Sequence, residues 1–109
     1  MEAMPDHAAL VLTTVGSAED AARIGRLLVD ERLAACVTTV AAARSTYRWE
    51  GKVVEEEEQL LLIKTAPAAV DRLRERLLVE HPYDVPEVLV LDAGGVPEPY
   101  ARWLEDSVG

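Results

Sequence analysis

The sequence predicts a single α+β domain in which two β-α-β halves are joined by a long β-hairpin. Three observations support this prediction. The chain has 109 residues, which is enough for one hydrophobic core. Its apolar segments follow the order β-α-β-β-α-β and end in a short helix. Between the second and third strands, residues 49–52 indicate a tight turn, because Gly51 can adopt a positive φ.

The first half consists of a strand, a helix and a second strand. Residues 8–15 are apolar on both faces, which is typical of a strand in the middle of a sheet. Ser17 is expected to be the N-cap of a helix from about Ala18 to about Arg32, with apolar side chains at helical spacing. The second strand runs from Cys36 to Tyr47 and forms the entering arm of the hairpin.

The returning arm, from Val53 to Thr65, changes character along its length. Residues 59–63 form a nearly continuous apolar run and are expected to be buried on both faces. Four consecutive glutamates, residues 55–58, precede that run. Because side chains alternate along a strand, Glu56 and Glu58 point to one side and the other two glutamates to the opposite side. One pair is therefore expected to face a partner or a cavity.

The second half repeats the pattern of the first. Pro67 fits the first turn of a second helix, where its missing N–H is not needed. This helix is expected to stop near His81, because Pro82 disfavours helical geometry in the preceding residue. Residues 87–92 are predicted to form the fourth strand, and residues 98–107 a short closing helix.

This order of elements predicts a ferredoxin-like split β-α-β sandwich. The strand order would be 4-1-3-2, with both main helices on one face and strands two and four at the edges. Exposed apolar edges promote association, so the sheet is expected to pair with other copies of the chain. We expect one domain over residues 1–109, with residues 1–7 as a flexible tail.

Composition narrows the classes of partner. The formal net charge is −9 and the cationic residues are scattered, so nucleic acid is not expected, whereas divalent cations would be attracted. Cys36 is the single cysteine, which excludes an intrachain disulfide and fits a reducing compartment. The sequence contains no apolar run of membrane-spanning length and no secretory signal at its start, so we expect a cytoplasmic protein.

Four groups of residues resemble the divalent-cation tolerance protein family CutA. They are residues 31–37 (ERLAACV), residues 47–52 (YRWEGK), Glu58 with residues 61–65 (LLIKT), and residues 81–87 (HPYDVPE). The resemblance extends from Leu12 to Trp103. It implies a ferredoxin-like, PII-like homotrimer, in which hairpins and edge strands pair around a threefold axis. It also implies a role in tolerance to copper and other divalent metals.

Two residues are candidate metal ligands. Cys36 is a soft ligand suited to copper, and the alternative is a small buried hydrophobic residue. His81 can bind a metal, and the alternative is a structural role at the helix C-terminus. The two lie on opposite edges of the predicted sheet, so they would meet only across a subunit boundary. We therefore predict an intersubunit site for copper(II) or another divalent cation.

Six further residues are candidates for a ligand-binding cleft. Glu58 and Lys64 share one side of a strand but lie about 20 Å apart, at about 3.3 Å per residue, so each needs another partner. Four aromatic residues could line the cleft or serve packing. The full set is Tyr47, Trp49, Glu58, Lys64, Tyr83 and Trp103.

The function expected from these observations is divalent-cation tolerance by a trimer that binds metal ions. Catalysis is not expected, because no GxSxG, HExxH, Walker A or GxGxxG motif is present. Two alternatives remain open. One is a PII-like signalling or small-molecule-binding module. The other is a structural trimer that presents a surface to a partner protein.

Overall fold

The protein is described from a computed structural model, and the description covers residues 7–109. Its elements follow the predicted order. They are β1 (Ala8–Val15), α1 (Ala18–Asp30), β2 (Cys36–Trp49), β3 (Lys52–Thr65), a 3-10 turn (Pro67–Ala69), α2 (Val70–Glu80), β4 (Leu89–Ala93) and α3 (Glu98–Ser107). All three strand pairings are antiparallel, and the order in the sheet is β2-β3-β1-β4. The predicted α+β, ferredoxin-like sheet is confirmed.

The helix ends are fixed by local chemistry. Asp20 donates its backbone N–H to the Ser17 hydroxyl at 3.0 Å, so Ser17 is the N-cap as predicted. The helix ends at Asp30, two residues before the predicted end, because Arg32 adopts a φ of 60°. The Arg32 and Leu33 N–H groups then bond the last-turn carbonyl groups, which is a Schellman motif without glycine. At α2, His81 is the extended C-cap residue that precedes Pro82.

The core lies between the two main helices and one face of the sheet. Leu61 and Ile63 of β3 are fully buried against Ile24 and Leu28 of α1 and Leu73 and Leu77 of α2. Thr65 is also fully buried, and its hydroxyl donates to the Leu33 carbonyl oxygen at 2.8 Å. This part of β3 is therefore held by both apolar burial and a buried hydrogen bond.

The hairpin extends beyond the body of the domain. Its two-residue loop has Glu50 and Gly51 at φ values of 50° and 80°, as a type I′ turn requires. A register shift between Val40 and Ala43 marks a β-bulge in β2. The radius of gyration is 14.8 Å and the longest dimension is 48 Å, whereas a compact chain of this length would have a radius of gyration of about 13 Å.

The start of the fourth strand differs from the prediction. The fourth strand begins at Leu89, because β1 pairs with it only from Leu89 onward and Pro86 offers no N–H to a ladder. Residues 82–88 instead form an irregular segment after α2. The predicted flexible tail falls largely on residues 1–6, which lie outside the described residues. His7 is described, and its ring nitrogen lies 2.8 Å from the Asp92 carboxylate.

Candidate functional site

A cleft lies between the hairpin and the irregular segment that follows α2. It has a volume of about 640 Å³. Four carboxylates and three aromatic rings dominate its wall, and none of the described residues that line it is cationic. These residues are Thr14, Ser45, Thr46, Tyr47, Trp49, Val54, Glu56, Glu58, Tyr83, Asp84, Val85 and Glu87. We call this feature the acidic cleft.

The hairpin wall of the acidic cleft follows from strand alternation and register. Ser45 pairs with Glu56, and Tyr47 pairs with Val54, so alternate residues of both strands present their side chains to the same side. Glu56 lies diagonally across from Tyr47, and its carboxylate raises the pKa of that phenol. The structure thus places Glu56 and Glu58, rather than the other two glutamates, in a cavity.

Glu58 is the buried acid of the cleft, with 5% of its surface exposed. The Tyr83 hydroxyl donates to its Oε2 at 2.7 Å. Across residues 7–109, no other hydrogen bond reaches this carboxylate and no cationic side chain pairs with it. Burial, and then the hydrogen bond to Glu58, raises the pKa of Tyr83, so the phenol remains a proton donor at neutral pH.

His81 contacts both the backbone and the ring of Tyr83. The Tyr83 backbone N–H donates to His81 Nδ1 at 3.2 Å, and the rings meet edge to face with centroids 4.9 Å apart. His81 Nε2 lies 2.9 Å from the Thr14 carbonyl oxygen and 3.0 Å from the Thr13 hydroxyl. Because Nδ1 accepts a hydrogen bond, the ring hydrogen belongs on Nε2 in the neutral form. Burial lowers the pKa of His81, which favours this neutral form.

Cys36 and Lys64 lie together at the other end of the hairpin. They pair across β2 and β3, with Lys64 Nζ 3.6 Å from Cys36 Sγ. Lys64 also donates to the Thr38 hydroxyl. Lys64 is therefore not among the residues of the acidic cleft in this chain. Cys36 is half-buried, so both of its predicted roles, as a soft ligand and as a small apolar residue, remain compatible with its surroundings.

The structure does not bring Cys36 and His81 together within one chain. Both His81 nitrogens already have hydrogen-bond partners, so His81 would have to give one up to bind a metal. Across the part of the chain that is described, no three His, Cys, Asp or Glu side chains are grouped to hold a metal ion. The intersubunit site thus stays a prediction.

Of the remaining predicted site residues, all but Trp103 line the acidic cleft. Tyr47, Trp49 and Tyr83 line the acidic cleft with Glu58. Trp103 lies on α3, is half exposed, and stacks on Tyr100 with ring centroids 5.6 Å apart.

Two carboxylates of the acidic cleft, Asp84 and Glu87, were not predicted from the sequence. They belong to the irregular segment, where no periodicity indicates the direction of a side chain. Their proximity to Pro82, Tyr83 and Pro86 was the only available signal.

A comparison with known families identifies the chain. The family model described as CutA1 divalent ion tolerance protein matches residues 9–107. The chain belongs to this CutA1 family. The resemblance seen in the sequence is therefore confirmed.

Individual CutA relatives support the same assignment. Divalent-cation tolerance protein CutA from Thermus thermophilus is 47% identical over 100 residues, which cover 92% of this chain and 97% of that protein. Protein CutA, chloroplastic, from Arabidopsis thaliana is 41% identical over 98 residues, covering 90% of this chain and 54% of that protein. The solved structure of CutA1 from Oryza sativa has a TM-score of 0.91 at 38% identity and covers 98% of both chains.

No helix within residues 7–109 is both long enough and apolar enough to cross a membrane.

Proposed function

We propose that this protein acts in divalent-cation tolerance as a cytoplasmic homotrimer that binds cations in the acidic cleft. One observation carries the proposal. Glu58 is a buried carboxylate with one oxygen free of hydrogen bonds, in a cleft that holds three further carboxylates and no described cationic side chain. A buried charge without a counter-charge is costly, so the site favours a cation from outside the chain. The net charge of −9 attracts such ions.

The donor atoms of the cleft decide which ions suit it. Within one chain they are carboxylate and phenol oxygens, which suit hard cations such as Mg²⁺ or Ca²⁺. Imidazole nitrogen and thiolate sulfur are both copper ligands, so our proposal for copper includes Cys36 and His81 from neighbouring copies. This role is one of binding, without catalysis.

The proposed trimer is supported by the edges of the sheet. Both edge strands carry exposed apolar side chains, namely Leu89, Val90 and Leu91 on β4 and Val40 on β2. Exposed edges of this kind favour pairing with another strand. Light scattering during size-exclusion chromatography is expected to give three times the chain mass of 11.9 kDa, and a monomeric mass would contradict the proposal.

A PII-like small-molecule-binding module is a second candidate. It is favoured by the aromatic side chains of Tyr47, Trp49 and Tyr83 in the cleft, because aromatic walls with a few polar groups are typical of ligand pockets.

Equilibrium dialysis of copper(II) and magnesium(II) tests the metal-binding proposal. Glu58→Gln removes the buried charge, and Glu57→Gln removes an exposed charge outside the cleft, so the pair matches the change in net charge. We expect saturable binding that is lost in Glu58→Gln and retained in Glu57→Gln. Cys36→Ser is expected to weaken copper binding but not magnesium binding. Weak, non-saturating uptake that is equal in all variants would contradict the proposal.

A further inference from the structure

We propose that the acidic cleft also binds a small organic cation that carries a primary ammonium group. The inference deepens the proposed function, because it rests on the same cleft taking a cation. Two features of the cleft distinguish an ammonium group from a metal ion. They are the single buried carboxylate and the aromatic walls.

Within one chain, the carboxylates do not by themselves complete the ligand shell of a metal ion. Calcium takes about six to eight oxygen ligands, and magnesium takes six, several of which are usually water molecules. No three acidic side chains among residues 7–109 are grouped closely enough to begin such a shell. A primary ammonium group requires much less, because it donates three hydrogen bonds and is satisfied by one strong acceptor and a few weaker ones. The free oxygen of Glu58 is such an acceptor.

The aromatic residues fit the rest of an organic cation. Tyr47 and Trp49 line the hairpin side of the cleft, and Tyr83 lines the opposite side. A cation near the face of an aromatic ring is attracted by the ring quadrupole. The same faces can cover the apolar carbons next to an ammonium group, whereas a hydrated metal ion gains nothing from them.

The charge of the cleft also excludes an anionic ligand. Glu56, Glu58, Asp84 and Glu87 all line it, and the described lining contains no Lys, Arg or His. A phosphate or carboxylate ligand would meet like charges without a compensating cationic side chain from the described lining. The geometry thus separates this cleft from a nucleotide site and favours an amine.

The hydroxyl of Tyr83 keeps Glu58 in place for this role. It holds Oε2, which leaves Oε1 as the accepting atom. The bond between the Tyr83 N–H and His81 fixes the backbone from which the phenol extends. Loss of the phenol hydroxyl is therefore expected to weaken ligand binding less than loss of the Glu58 charge.

Calorimetry with a matched pair of probes tests the inference on the full chain. The probe 1,4-diaminobutane carries primary ammonium groups, and 1,4-butanediol has nearly the same size without charge. We expect saturable binding of the diamine and none of the diol. Glu58→Gln is expected to weaken diamine binding about tenfold or more, since a hydrogen bond to a charged group is lost. Tyr83→Phe is expected to give a smaller loss, and Glu57→Gln no change.

A fluorescence titration locates the binding. The chain has two tryptophans, Trp49 in the cleft and Trp103 on α3. In a Trp103→Phe background, Trp49 is the only tryptophan, and its emission is expected to change with diamine but not with diol. Thermal melting of each variant without ligand checks that it is folded. If Glu58→Gln fails this check, Glu58→Asp replaces it. This variant keeps the carboxylate but moves it away from the cleft by one methylene group, so it is expected to weaken binding.

Equilibrium dialysis of copper(II) and magnesium(II), described above, distinguishes a failure of this inference from a failure of the proposed function. Diamine binding that requires Glu58, with no metal binding, supports the inference and overturns the metal-binding part of the proposed function. Metal binding that requires Glu58, with no diamine binding, does the opposite. Equal binding of diol and diamine, or diamine binding unchanged in Glu58→Gln, overturns the inference. Absence of any cation binding overturns both.

Discussion

The two halves of β3 lie in opposite surroundings although they form one strand. From Leu61 to Thr65, every second side chain is fully buried against the helices or the Leu33 carbonyl group. From Lys52 to Glu57, nearly all side chains are exposed, and Val53 has 63% of its surface exposed. The Leu61–Thr65 half belongs to the hydrophobic core of the single chain. The Lys52–Glu57 half contributes little to that core and supplies part of a wall of the acidic cleft.

Substitution in the buried half is expected to give the largest effect. Leu61→Ala removes a fully buried side chain and is expected to lower the free energy of unfolding by about 3 kcal/mol, through lost burial and a cavity. Val53→Ala in the exposed half is expected to change it by less than about 0.5 kcal/mol. Urea denaturation at several protein concentrations measures both and separates unfolding from dissociation. Equal losses in the two variants would remove the contrast between the halves.

A buried hydrogen bond provides the second contrast. Thr65→Val keeps the shape of the side chain but leaves the Leu33 carbonyl oxygen without the hydroxyl that donates to it. We expect a loss of about 1 to 2 kcal/mol in the free energy of unfolding. Thr39→Val is the matched control, because Thr39 is exposed on the neighbouring strand. A loss in Thr39→Val as large as that in Thr65→Val would contradict the assignment.

His81 lies between the buried core and the acidic cleft, and we expect it to make stability depend on pH. Burial lowers its pKa in the folded protein, so the unfolded chain takes up the proton more readily. The stability from neutral His81 is present above the unfolded pKa of about 6.5 and is lost as the pH falls through the folded pKa. His81→Gln retains an N–H donor but does not titrate. Thermal melting from pH 8 to pH 5 is expected to show a steeper acid loss in the wild type than in His81→Gln. Parallel pH profiles would contradict this role.

Local signals in the sequence were enough for most of the fold. Ser17 caps α1 and Gly51 turns the hairpin, as their local chemistry predicts, and Pro82 follows the end of α2. The β-α-β-β-α-β order then led to the sheet order. The fourth strand was placed too early, because its start depends on which residues of β1 remain to pair with it.

The acidic cleft was only partly predictable. The alternation of side chains along the strand placed Glu56 and Glu58 on the same side, but it could not show which pair of glutamates faces a cavity. Glu58 is buried because Tyr83, from a distant and irregular segment, reaches it. Lys64 and Glu58 point to the same side of β3, but they are far apart along the strand. Lys64 therefore lies beside Cys36 and not in the cleft. Contacts that depend on irregular segments have no periodic signal, so they require the folded structure.

A substitution at Gly16, beside Tyr83, tests whether the cleft can be altered without altering the core. A methyl group at Gly16 would lie 3.3 Å from the Tyr83 hydroxyl oxygen, so the phenol would have to shift by a few tenths of an ångström. In Gly16→Ala, that strain is offset by the reduced freedom of the unfolded chain, and we expect a net change within about 1 kcal/mol.

The control for this variant is Gly25→Ala in α1, where the added methyl group makes only an ordinary contact with Val37. Alanine is more favourable than glycine in the interior of a helix, so this variant is expected to be as stable as the wild type or more stable. Cation binding to the acidic cleft, measured by calorimetry, is expected to weaken in Gly16→Ala and to be unchanged in Gly25→Ala. Because Tyr83 holds Glu58, unchanged binding in Gly16→Ala would mean that the position of the phenol does not control the buried carboxylate.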